Sequence, residues 1–151
     1  ICSGLVGSEM CIRDRSYIYH SGYGYSTRLC KSVASWFIEK YFPRHKITLD
    51  IIHRGMKREG CVGYCDTTGG WFRPRNFEIE IDTHLDKETY TKTLLHEMFH
   101  MKQFIDGTLK TKWSKMYYKN EPVENYDYLD QPHEIAARKA EEDLYLEYIT
   151  S

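Results

Sequence analysis

The 151-residue chain holds only 4 prolines, has no apolar run long enough to cross a bilayer as a helix, and contains neither an internal repeat nor a low-complexity tract. A helical membrane span, a solenoid and a compositionally disordered chain are thereby excluded as readings of the sequence. Charge of one sign is lacking too. The 21 Lys and Arg stand against 22 Asp and Glu, a net charge of −1 that gives no overall pull toward nucleic acid or an anionic membrane. Cysteine is sparse: of 5, Cys2 and Cys11 fall in the first fifteen residues, and Cys30, Cys61 and Cys65 form an odd remainder that builds no disulfide framework and suits a reducing compartment. The 41% hydrophobic and 28% charged content is ordinary for a single domain with an adequate core, and 13 tyrosines favour amphipathic packing.

Residues Ile1 to Arg15 resemble translated sequencing-adaptor read-through, in which the string running from Val6 to Arg15 precedes unrelated metagenomic reading frames. They are read as a non-native leader, leaving 16–151 as the domain. A leader of that kind removes any information on a signal peptide, so the expected cytoplasmic location rests on the cysteines alone.

Ser26 to Phe42 reads as a helix, with Leu29, Val33, Trp36, Phe37 and Tyr41 at helical spacing and Pro43 ending it. Lys46 to His53 alternates as a first strand, Cys61 to Asp66 as a second, and Trp71 to Asp82 as a third that Pro74 interrupts early. Asp86 is a natural N-cap and Gly107 a natural stop, which predicts a helix from Lys87 to Asp106. Its core stripe is Leu94, Met98, Met101 and Ile105, with His96, His100 and Gln103 on the opposite side. Lys112 to Lys119 reads as a short strand or hairpin arm, and Asn120 to Asp130 as a polar loop. Pro132 then opens a last helix to about Tyr148 with Ala137, Ala140, Leu144 and Tyr148 inward. The order predicts an α+β domain of zincin-like form: a small, mostly antiparallel twisted sheet packed with an N-terminal helix, a helix bearing the histidines and a C-terminal helix.

That central helix carries His96-Glu97-Met98-Phe99-His100. Residues i and i+4 share a helix face, so both imidazoles reach one metal ion while Glu97 reaches the water bound to it. A catalytic zinc takes three protein ligands and keeps the fourth position for water, so a further donor is required downstream. Glu134, on the face of Ala137 and Glu141, is the first choice. His133 is the alternative, pointing about 100° away on the same helix, and Asp127 and Asp130 are lesser contenders. Cys61 and Cys65, with His53, make a poor zinc set and read instead as small apolar groups on one face of a strand.

The block Thr93-Leu94-Leu95-His96-Glu97-Met98-Phe99-His100-Met101-Lys102-Gln103, followed by Lys112-Trp113-Ser114-Lys115 and then Tyr126 to Ala137, resembles small phage and bacterial SprT-like or minimal gluzincin-type metallopeptidases over about Cys61 to Tyr148. That resemblance implies one zinc ion and a downstream glutamate ligand. The third histidine of true SprT proteases is not matched, so a DNA-dependent role is not carried over. The expected activity is hydrolysis of peptide bonds by a zinc-activated water with Glu97 as general base, on a peptide or protein substrate laid along the sheet edge near Glu78-Ile79-Glu80. Tyr118, Tyr126 and Tyr128 are candidate oxyanion donors without an assigned role. The alternative is a non-catalytic zinc-stabilised binding or regulatory module, with nucleic-acid association as its variant. Arg54, Lys57, Arg58, Arg73 and Arg75 are read as solvated surface, and neither nucleic acid nor membrane is an expected partner.

Overall fold

The structure, a computed structural model, describes residues 9–12 and 16–151. Its main sheet is built from β1 (Glu9–Ile12), β2 (Ser16–Gly22), β3 (Thr48–His53), β4 (Gly63–Thr67) and β5 (Asn76–Ile81), in the spatial order β1-β2-β3-β5-β4. Helix α1 (Thr27–Tyr41) connects β2 to β3, and α2 (Lys87–Asp106) follows β5. A second, small antiparallel sheet joins β6 (Leu109–Lys112), β7 (Lys115–Tyr118) and β8 (Glu121–Pro122), and α3 (Pro132–Ile149) closes the chain. Of the segment 1–15, Glu9–Ile12 pairs antiparallel with β2 through its backbone; the rest of the leader reading lies outside the described residues.

The caps behave as their residue types dictate. Ser26 accepts the Leu29 amide at the start of α1, and Asp86 accepts the Thr89 amide at the start of α2. Gly107 takes the left-handed conformation (φ 81°) that ends α2.

The α+β expectation holds, but the main sheet is not mostly antiparallel. Its centre is parallel, β2 to β3 and β3 to β5, while β1 and β4 run antiparallel at the edges. The misreading has a physical source. Alternation of buried and half-exposed residues in β3 and β5 reports that one face is covered, a pattern usual in antiparallel sheets, and carries no information on direction. Direction follows from connection: α1 is a crossover helix, and a crossover returns the chain parallel. β2 was not foreseen, because only Ile18 of its inward residues Ser16, Ile18 and His20 is apolar. The strand expected over Trp71 to Asp82 starts only at Asn76, after a loop in which Arg73 has φ 45° and Pro74 follows.

The covered face carries Ile18, Leu49, Ile51, Phe77, Ile79 and Ile81, which meet Val33 and Phe37 of α1 and Leu94, Met98 and Met101 of α2 in one core. α3 packs along α2, burying Ala137 and Leu144, and its end is tied to α1 by a 2.7 Å hydrogen bond between Ser32 and Tyr148. His53 belongs to the core and to no metal set: its ring stacks on Tyr25 with centroids 3.4 Å apart, Nδ1 donates to the Ser21 carbonyl at 2.9 Å, and Nε2 accepts from the Tyr90 hydroxyl at 2.8 Å. Cys65 is buried in β4, whereas Cys61 precedes the strand and is half-exposed, so the two are not a packed pair on one strand face. Among the described residues no helix is long and apolar enough to cross a membrane.

The five cations singled out in the sequence do not form one face. Arg54 donates its amide to Ile81 at the end of β5, while Arg75 accepts from Thr48 at its start, so the two groups sit at opposite ends of the sheet. Arg54 is also ion-paired with Glu59 and Glu80, both at 2.9 Å.

Candidate metal centre

Three elements converge on the middle of α2: the edge strand β4, the small sheet and the first turn of α3. The side of α2 carrying Glu97, His100 and Gln103 is therefore not a solvated face, since all three are buried. β4 approaches so closely at Gly63 that a Cβ there would stand 2.8 Å from Glu97 Oε1 and 3.0 Å from Thr93 Cγ2. Only glycine lets the strand lie this close to the Glu97 carboxylate.

Pro132 at the first helical position fixes the start of α3 and sets Glu134 opposite the two histidines. Glu134 divides its oxygens between them, with Oε2 at 3.0 Å from His96 Nε2 and Oε1 at 2.9 Å from His100 Nε2. Among the described residues, His96, His100 and Glu134 form the group whose ligand atoms converge, all within 4.8 Å of one another. Asp127 and Asp130 are not in that group, nor is His133. His133 is nevertheless closer to the site than its helical angle implied: its ring centroid is 5.3 Å from that of His100 and its Nε2 is 3.7 Å from Glu134 Oε1.

The far sides of both imidazoles are also engaged. His96 Nδ1 lies 3.6 Å from Glu141, two turns beyond Glu134 on α3. His100 Nδ1 lies 2.8 Å from Gln103 Oε1, and Gln103 Nε2 donates to the His133 carbonyl at 3.1 Å. This second bond orients the amide, so its oxygen must face His100 and Nδ1 must be the donor. In the neutral ring Nε2 then presents a lone pair toward Glu134. It is buried without a hydrogen-bond partner, although a carboxylate oxygen stands at 2.9 Å. A ring nitrogen facing a carboxylate calls for a cation between them, a proton or a metal ion, and two imidazoles with a carboxylate are the donor set of a zinc-type ion. The residues thus fit a metal.

Without a metal, it is protons on the facing imidazoles that balance the buried carboxylate. Burial opposes charge on His96, but its hydrogen bond to Glu134 and the nearby Glu141 carboxylate outweigh burial and raise the imidazole to about 10. Burial likewise opposes ionisation of Glu134, yet the facing His100 and His96 hold its carboxyl well below the usual range. Glu97 goes the other way: burial pushes its carboxyl up to about 7 against the pull of His100 and His96. Burial lowers His133 to about 4.

Two clefts meet at this point. One, of about 520 Å³, runs from Glu97 toward Met116, Val123 and Lys115; the other, of about 780 Å³, runs toward Lys57, Gly60 and Arg138. Tyr128 lines both, Tyr126 donates instead to Glu121 at 3.1 Å, and Tyr118 stands beside His133. The strand near Glu78-Ile79-Glu80 is not a sheet edge, since β5 is paired on both sides; the free edge beside the site is β4. Sequence reasoning gave Gln103 and Glu141 no role. Their signal was positional, Gln103 three residues beyond His100 and Glu141 seven beyond Glu134. Comparison with protein-family models, with curated proteins and with solved structures returns no match for this chain.

Proposed function

We propose that the chain is a zinc-dependent metallopeptidase with His96, His100 and Glu134 as ligands and Glu97 as general base. The observation that carries the reading is the convergence of ligand atoms: with Nδ1 of His100 turned to Gln103, its buried Nε2 faces Glu134 without a hydrogen bond and beside a second imidazole. The motif's resemblance to small SprT-like and gluzincin-type peptidases supports the same chemistry.

A zinc ion bound there would acidify water and polarise a carbonyl oxygen. Glu97 supplies the proton traffic. Burial, which in the metal-free protein pushes its carboxyl up to about 7, gives Glu97 more affinity for a proton than an exposed glutamate has, as a group that takes a proton from water and passes it to a leaving amine needs. The clefts on both sides of Glu97 let an extended peptide pass through the site, and the unpaired edge of β4 offers it backbone hydrogen bonds. Tyr128, which lines both clefts, is the tyrosine we take as the candidate donor to a developing oxyanion.

The test combines metal content with turnover. Wild type should bind about one zinc per chain and cleave an unstructured protein substrate. Glu134→Ala should lose the metal. Glu97→Gln should keep it and lose turnover by about 10²- to 10⁴-fold. A folded wild type that takes up no zinc ends the metal reading. Full turnover in Glu97→Gln ends the base assignment.

A further inference from the structure

The turn between β6 and β7 breaks two local preferences at one residue. Trp113 and Ser114 are the central pair of a two-residue turn with φ 52° and 64°, a geometry suited to Asn or Gly, and the Trp113 side chain is 82% exposed. A bulky ring held in a left-handed conformation and left in solvent points to a use for the ring itself. Beside it, the connection between β4 and β5 exposes Trp71 and Phe72, the latter at 71%, and Arg73 after them also has positive φ. Lys112 joins the two tips, its Nζ 4.5 Å from the Trp71 ring centroid and 4.4 Å from that of Trp113.

Charge is as uneven as hydrophobicity. Residues 67–75 and 110–115 hold Arg73, Arg75, Lys110, Lys112 and Lys115 and not one Asp or Glu, in a chain whose net charge is −1. The tips are therefore a cationic, aromatic end on an otherwise acidic protein. They also abut the cleft, whose lining includes Ser114 and Lys115.

We propose that these two tips dock an acidic, extended polypeptide segment bearing aromatic or apolar side chains, contiguous with the peptide that enters the cleft. The contiguity rests on the peptidase reading; the docking does not. Acidic side chains meet the lysines and arginines, while apolar ones cover Phe72 and the free faces of the indoles. A nucleic-acid strand suits the surface less well. The rings alone do not decide this, since a base and an apolar side chain would use the same exposed faces. The basic patch is short: Glu121 and Glu124 come next in the chain, with Glu124 3.5 Å from Lys115, so a longer phosphate backbone would run into carboxylates.

The test reads tryptophan emission of the full chain, kept metal-free with chelator, during titration with three probes: a short peptide of Glu, Phe and Gly, the same peptide with Lys in place of Glu, and an oligothymidine of similar length. The Glu peptide should shift the emission saturably, and the Lys peptide should not. Lys112→Glu and Trp113→Ala, both folded by circular dichroism, should weaken binding by about tenfold or more. Equal binding of the Lys peptide, tighter binding of oligothymidine than of the Glu peptide, or no saturable shift would each overturn the proposal. Since no zinc is needed, these results stand apart from the success or failure of the metal site.

Discussion

Gln103 Oε1 lies 2.8 Å from His100 Nδ1, while the same amide donates to the carbonyl of the residue before Glu134. One side chain thus sets the ring orientation of one proposed ligand and the position of the backbone that presents another. Replacing Gln103 by Met keeps the volume and removes both bonds. Zinc affinity, measured by chelator competition, should fall by about 10- to 100-fold, and the visible spectrum of the cobalt-substituted protein should change. An unchanged affinity and spectrum would show that the ligands hold themselves.

Gly63 is expected to tolerate no side chain. Gly63→Ala drives a methyl group against Glu97 Oε1 and Cγ, at 2.8 and 2.9 Å, and against Thr93. Either the strand moves or Glu97 leaves its place, at a cost of about 1–3 kcal/mol in stability. Zinc stoichiometry should persist while turnover drops, because the displaced group is the proposed base and not a proposed ligand. Wild-type turnover in this variant would place the working carboxylate elsewhere.

Metal uptake should release protons. In the metal-free protein His96 is raised to about 10, so at neutral pH it carries a proton that a ligand nitrogen cannot keep. Apparent zinc affinity should therefore rise with pH, and calorimetry in buffers of different ionisation enthalpy should count about one proton released per zinc bound near pH 7. Zero release would mean that His96 is already neutral.

Acid stability should report on His53. Burial holds its imidazole at about 4, against 6.5 for the unconstrained ring, so the unfolded chain binds a proton that the folded chain refuses. The neutral ring's contribution is present above about 6.5 and is lost as pH falls through about 4. The urea midpoint of the metal-free protein should drop between about pH 7 and pH 4.5, and His53→Gln should flatten that decline. Parallel profiles for variant and wild type would move the effect to other groups.

Much of the candidate site was readable from short-range chemistry. Asp86, the helical spacing of the apolar stripe and Gly107 bounded α2, and i,i+4 spacing put His96 and His100 together. Pro132 announced α3, which carries Glu134. What stayed hidden depends on approach between distant segments. The direction of β3 and β5 is set by how the chain crosses over, which alternation does not encode. The burial of Gln103 comes from α3 lying on top of it. With neither Gly nor Asn at Trp113 and Ser114, 112–119 read as one strand or hairpin arm and the turn inside it went unseen, and the exposed aromatic end it forms became visible only with Trp71 beside it.

The small sheet β6–β8 is strung between His100 and Glu134, entering straight from the end of α2 and leaving into the start of α3. If an ion clasps those two helices and a partner grips the hairpin tip, both act on one closed loop of chain, and any effect of one on the binding of the other must be returned in equal measure. The metal-free protein would still dock its partner, and the partner's affinity with and without metal would give the size of the coupling. The hairpin would then be a strap, closed at its base by the ion and felt at its tip by the partner.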